Sequence, residues 1–93
     1  MVNYQPGSIV SKIILKKQTG NITVFAFDKG ESLSEHTVPF EALIYVVDGA
    51  VIITISGRTF KVKKGEFIIM PANKPHSVRA KIRFKMVLFM IRK

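Results

Sequence analysis

The sequence predicts an all-β chain folded as a small closed barrel or two-sheet sandwich, on three observations. No run keeps the 3.6-residue apolar period of an amphipathic helix for more than about a turn. β-Branched and aromatic residues recur instead in short blocks separated by glycine turns. The C-terminal block alternates strictly, with Val78, Ala80, Ile82, Phe84, Met86, Leu88 and Met90 at even positions, so one of its faces is apolar throughout. Closure into a barrel or sandwich hides strand edges that would otherwise aggregate.

The strands are expected, in order, over residues 8–15, 21–27, 33–38, 42–47, 50–55, 59–63, 66–70, 76–80 and 83–91. The first two flank Thr19-Gly20, and the third follows Lys29-Gly30 and stops before Pro39, which cannot donate to a ladder. Asp48-Gly49 and Ser56-Gly57 sit between alternating runs and predict two tight hairpins, because glycine takes the positive φ such turns need. Lys64-Gly65 opens the seventh strand and Pro71 closes it, while Pro75 precedes the eighth. Across the last two strands the outer face changes character. Arg79, Lys81, Arg83 and Lys85 form a basic ladder at period two, followed by Val87, Phe89 and Ile91. The basic half is expected in solvent and the apolar half beneath a second sheet or, preferably, a second subunit. No internal repeat, linker or low-complexity segment interrupts residues 1–93, which read as one domain.

Composition bounds the function. A chain of 93 residues buries only about 60–65% of its unfolded surface. Its hydrophobic fraction of 47% and mean hydropathy of +0.24 therefore leave apolar side chains over for an interface, and a homodimer is expected. The absence of cysteine excludes disulfides, thiolate metal sites and cysteine nucleophiles. The N-terminus carries no signal pattern, and no segment approaches the roughly 20 apolar residues that span a bilayer. A cytoplasmic location without membrane attachment follows as an expectation. Asn21-Ile-Thr23 matches a glycosylation sequon and is read as chance.

The formal charge is +9, and its distribution is uneven. All six carboxylates, Asp28, Glu31, Glu35, Glu41, Asp48 and Glu66, precede residue 67, while Lys74, Arg79, Lys81, Arg83, Lys85, Arg92 and Lys93 follow without one acid. Such a balance raises nucleic acid as a partner. Against it, no binding motif is recognisable and aromatics do not interleave with the basic residues as a stacking platform requires. Solubilising residues that block edge pairing are the preferred reading of the ladder.

The chain has two histidines, each in a stretch of patterned glycine and proline. The first stretch reads Gly30-Glu-Ser-Leu-Ser-Glu-His36-Thr-Val38-Pro-Phe-Glu-Ala42 and closes at Gly49, and the second reads Gly65-Glu-Phe-Ile-Ile-Met-Pro71-Ala-Asn73-Lys-Pro-His76. Together they resemble the two signature motifs of the cupin superfamily, over residues 30–76. That resemblance implies a double-stranded β-helix, or jelly-roll, barrel. It also implies a metal site in which the first motif gives a His-x-His pair and a later glutamate, and the second gives one more histidine. His36 and His76 match two of those ligand positions. Val38 and Ala42 stand at the other two, and Asn73 replaces the usual glycine.

Two imidazoles hold a metal loosely, because a first-row ion in an enzyme usually has three or four protein ligands. The resemblance thus implies a divalent metal (Zn, Ni, Mn or Fe) at His36 and His76, and otherwise no cofactor. Glu41 is a third ligand only if a bulge at Pro39 turns it inward, since strict alternation places it on the opposite face. The ordinary alternative is that two histidines forty residues apart in a basic protein are surface or satisfied core groups. Losing two ligands also makes the barrel mouth less polar, so that Val38, Ala42, Ile44, Val46, Met86 and Leu88 are expected to line a pocket for a partly apolar small molecule. Three classes remain open: a weakly metal-dependent enzyme, a metal-free ligand-binding or sensory module, and, least favoured, a nucleic-acid-associated protein.

Overall fold

Turn chemistry sets most strand boundaries. The computed structural model describes residues 2–91, so Arg92 and Lys93 of the basic C-terminal third lie outside the described residues. Eight strands follow in chain order: β1 (Ile9–Lys17), β2 (Gly20–Phe27), β3 (Ser32–His36), β4 (Glu41–Ile55), β5 (Arg58–Lys63), β6 (Phe67–Met70), β7 (His76–Arg79) and β8 (Phe84–Ile91). All pairings are antiparallel, in the order β1-β2-β8-β4-β7-β3, with β5 and β6 also on β4. The sheet curls into the jelly roll that the sequence predicts. No helix among the described residues is long and apolar enough to cross a membrane.

The main departure is β4. The expected hairpin at Asp48-Gly49 is not a hairpin: one 15-residue strand runs through it. Its first half pairs with β8 and β6, and its second half with β5 and β7. A register shift between Val46 and Asp48 inserts an extra residue, which bends the strand as a bulge does. The parity of the buried positions changes accordingly, from Ala42, Ile44 and Val46 to Val51 and Ile53. Gly49 has φ +71°, and a Cβ there would run into the carbonyl oxygen of Arg83. Glycine is thus required at a barrel corner rather than at a turn. The Ser56-Gly57 hairpin forms as expected, with φ of 48° and 82° at its two residues, the signature of a type I′ turn.

Inward side chains of both halves meet in one core, in which Phe27, Ile44, Val46, Val51, Ile53, Phe84 and Met86 are fully buried. Phe27 and Phe84 stack with centroids 4.6 Å apart. A smaller cluster lies outside the sheet, where Val2 and Tyr4 cover Val24, Ala26 and Val87. This N-terminal segment packs over the Val87 end of the outer face.

The basic ladder is corrected as well. β7 ends at Arg79 and β8 begins at Phe84, so residues 80–83 form a connection and Ile82 is 52% exposed instead of facing inward. Arg83 bonds Asp28 at 3.3 Å, and Arg83 and Lys85 both sit over the Tyr4 ring, at 4.9 and 4.8 Å. The four cations share no single strand face.

Candidate functional site

His36 ends β3 and His76 begins β7, directly opposite one another. Between Leu33 and His36 the β3 register slips against β7, so that three steps on one strand match two on the other. This bulge places His36, and not Glu35, across from His76. The rings meet edge to face with centroids 4.2 Å apart. Pairing then carries the row across the sheet: His76 opposes Ile55 on β4, and Ile55 opposes Arg58 on β5.

The facing sheet brings a second row to the same end of the barrel, with Asn21, Met90, Ala42 and Met70 in mutual register. Residues 37–40 and 71–75 connect the two rows, and the Asn73 N–H ties them together by donating to the Val38 carbonyl at 2.8 Å. Asn73 has φ +63°, which explains how it replaces a glycine: asparagine is among the few side chains that tolerate the left-handed region.

Backbone carbonyls fix the ring tautomers. Nδ1 of His36 lies 2.8 Å from the Ser34 carbonyl, and Nδ1 of His76 lies 3.3 Å from that of Lys74. A carbonyl only accepts, so each Nδ1 carries the proton and each neutral ring keeps a lone pair on Nε2. Burial lowers the His76 pKa from its ordinary value, the His36 charge lowers it further, and the bond to Lys74 opposes both. His76 is 4% exposed, whereas His36 is exposed.

The remaining expected site residues divide. Glu41 is exposed on the outer face of β4, opposite Ile91, and the β4–β8 register is unbroken from Glu41 to Val46. The bulge that would turn it inward is absent, and Glu41 stands apart from the histidines. Ile44, Val46 and Met86 are sealed in the core at 1% exposure or less, because facing side chains fill the barrel at their level. Ala42 is buried at the mouth end, Leu88 is half-buried, and Val38 is half-buried in the connection after β3. Asn21, marked in the sequence only by a sequon, stands opposite Met90 in the second row. Its Oδ1 is buried without a hydrogen-bond partner. The signal was its place in the odd-numbered series Asn21, Thr23, Phe25 and Phe27, which shares the inner face of β2.

These donors do not fit a resident metal centre. Among the described residues no three His, Cys, Asp or Glu side chains gather as a ligand set, and two imidazoles fall short of the three or four protein ligands that hold such an ion. What the arrangement does supply is a pair of oriented acceptors at the mouth of an apolar barrel.

Comparison with known proteins agrees with this architecture. A family model described as a cupin domain matches residues 23–92. A conserved protein of unknown function from Streptococcus pyogenes is 32% identical, with a TM-score of 0.92 over 96% of this chain and 78% of that one. A cupin 2 conserved barrel domain protein from Leptotrichia buccalis is 43% identical, with a TM-score of 0.94, and this chain covers 98% of itself but only 44% of that protein. A glycine-to-alanine mutant of salicylate 1,2-dioxygenase from Pseudoaminobacter salicylatoxidans, 18% identical with a TM-score of 0.83 over 89% of this chain and 26% of that one, shares the fold. No curated protein matches.

Proposed function

Because the chain belongs to the cupin domain family, we propose that it is a small-molecule-binding barrel whose ligand is oriented at the mouth by His36 and His76. One observation carries this reading: both Nδ1 atoms are spent on the backbone carbonyl two residues earlier in the chain, so the two Nε2 lone pairs remain for a ligand's N–H or O–H groups. The orphaned Oδ1 of Asn21 is a further acceptor at that end. Three acceptors at one end of an apolar barrel, those of His76 and Asn21 on groups shielded from water, favour a ligand with several donors on a compact frame, since a buried acceptor left unmet costs about 1–3 kcal/mol. The lowered His76 pKa supports the acceptor role by keeping that ring neutral near pH 7.

The same lone pairs favour a second reading, in which an exchangeable divalent ion (Zn, Ni, Mn or Fe) accompanies the ligand. Two neutral imidazoles would give it part of its ligand set, and water or the bound molecule the rest. Thermal-shift screening of polyols, amides and small amines, with and without each ion, tests both readings against a His36→Ala/His76→Ala variant. Stabilisation that vanishes in the double variant supports the pocket, and a requirement for the ion selects the second reading. Hits that survive removal of both rings would overturn the site.

For assembly we propose a homodimer through the outer sheet face. Leu43, Tyr45, Phe67, Phe89 and Ile91 line a shallow trough without a polar side. Copies that each carry +9 associate best through a surface free of that charge. Two such sheet faces can stack about 10 Å apart. The cysteine-free composition accords with a cytoplasmic setting.

A further inference from the structure

We propose that the cleft between β5 and β6 is a separate binding site for a small organic anion with an apolar body, a carboxylate on an aromatic or short acyl frame. The two strands pair with different halves of β4, and where β4 bends they diverge and leave a gap. That gap is a cleft of about 810 Å³, within the roughly 300–1,000 Å³ of small-molecule sites. Neither histidine lines it, so the proposal does not rest on the reading of the mouth.

Sequence parity builds its floor. Phe60 and Val62 oppose Ile53 and Val51 and share their inward face, and Ile55 and Ile68 complete an apolar surface that the divergence of β5 and β6 uncovers. The rim is cationic. Arg58, Lys61 and Lys74 line the cleft, and none of them is in an ion pair among the described residues. The one carboxylate there, Glu66, is held by the Lys63 N–H at 2.7 Å and stands against these three cations, so the rim keeps a positive excess. The Arg58 guanidinium lies 5.6 Å from the Phe60 ring centroid, which holds its planar fork at the border between floor and rim. A fork so held suits bidentate recognition of a carboxylate. Lysines that merely guard a strand edge do not need a concave apolar floor beneath them, and this floor is what selects an anion with a body over a bare ion.

Amide chemical shifts of the full chain, titrated with 3-phenylpropanoate, test the proposal. Acetate supplies the charge without the body, and 3-phenylpropan-1-ol the body without the charge. Saturable shifts are expected at Arg58, Phe60, Ile68 and Lys74, with either control weaker by about ten-fold or more. Arg58→Glu with Lys74→Glu should weaken phenylpropanoate binding by about ten-fold or more, and His36→Ala with His76→Ala should leave it unchanged. No saturable response, an equal response to acetate or to the alcohol, or shifts mapping away from the cleft would overturn it. So would protection of the β5 and β6 edge amides by a second chain. Binding lost only in the histidine variant would assign the anion to the mouth, leaving that site standing and this one refuted.

Discussion

His36 and His76 are cross-strand partners whose rings meet edge to face, 4.2 Å between centroids, and only one of them is buried. Desolvation of His76, reinforced by the charge of His36, lowers its pKa below the ordinary 6.5. Between the lowered value and 6.5 the unfolded chain binds more protons than the folded one. Stability rises with pH wherever that holds, so the contribution of His76 is complete above about 6.5 and is lost as pH falls through the window beneath. Asp28, whose carboxylate is held below its ordinary 3.8 first by the Gly7 N–H, adds its own loss only in more acidic solution. Urea midpoints at pH 7.5 and 5.0 check the assignment. The midpoint should fall at pH 5.0, and His76→Asn should flatten that fall; an equally steep fall in the variant would show that another group is responsible.

At the barrel corner Gly49 passes beneath the Arg83 carbonyl with positive φ. Gly49→Ala adds both a backbone strain and a collision with main chain, which cannot rotate away as a side chain can. A loss of about 1–3 kcal/mol is expected, seen as a Tm lowered by roughly 4–8 °C per kcal/mol in a domain of this size. Gly57→Asn is the control, since its Cβ meets open space and asparagine tolerates positive φ. It should cost far less.

Much of this fold is written in local chemistry, and what is hidden depends on non-local pairing. The Ser56-Gly57 turn, the stop at Pro71 and the inward series Phe84, Met86 and Leu88 can be read from residues adjacent in the chain. Asp48-Gly49 presents the same dipeptide chemistry as a hairpin, yet it forms a corner because β8 pairs across it, and no local pattern announces which strand arrives alongside. The bulge between Leu33 and His36 is hidden for the same reason. The motifs identify both histidines; their contact and their fixed tautomers depend on register and on backbone carbonyls that composition does not show. The outward position of Glu41 does follow from plain alternation, so the expectation that failed was the added bulge.

Parity places Ile82 and Phe84 on one face, and the structure separates them: Phe84 is fully buried against Phe27, while Ile82 is 52% exposed in the β7–β8 connection. Phe84→Ala should therefore cost about 3–5 kcal/mol, and Ile82→Ala should stay within roughly 0.5 kcal/mol of the parent. Chemical denaturation of the two variants decides the point. Comparable losses would mean that the apolar series continues inward through residues 80–83.

The outer trough gives the last expectation. Phe67 is 61% exposed and Ile91 63%, and they flank Leu43, Tyr45 and Phe89 as one apolar surface on the opposite side of the sheet from the core. A charge placed there would be solvated in a monomer but stranded between two stacked faces, where an unpaired buried charge costs several kcal/mol. Phe67→Glu should accordingly leave the unfolding of the isolated chain nearly unchanged while shifting the sedimentation mass from two chains to one. A parent protein that sediments as a single chain at all concentrations would remove the dimer. A dimer that tolerates Phe67→Glu would move its interface elsewhere, with the exposed Ile13, Ile14 and Leu15 of β1 the next apolar surface to probe.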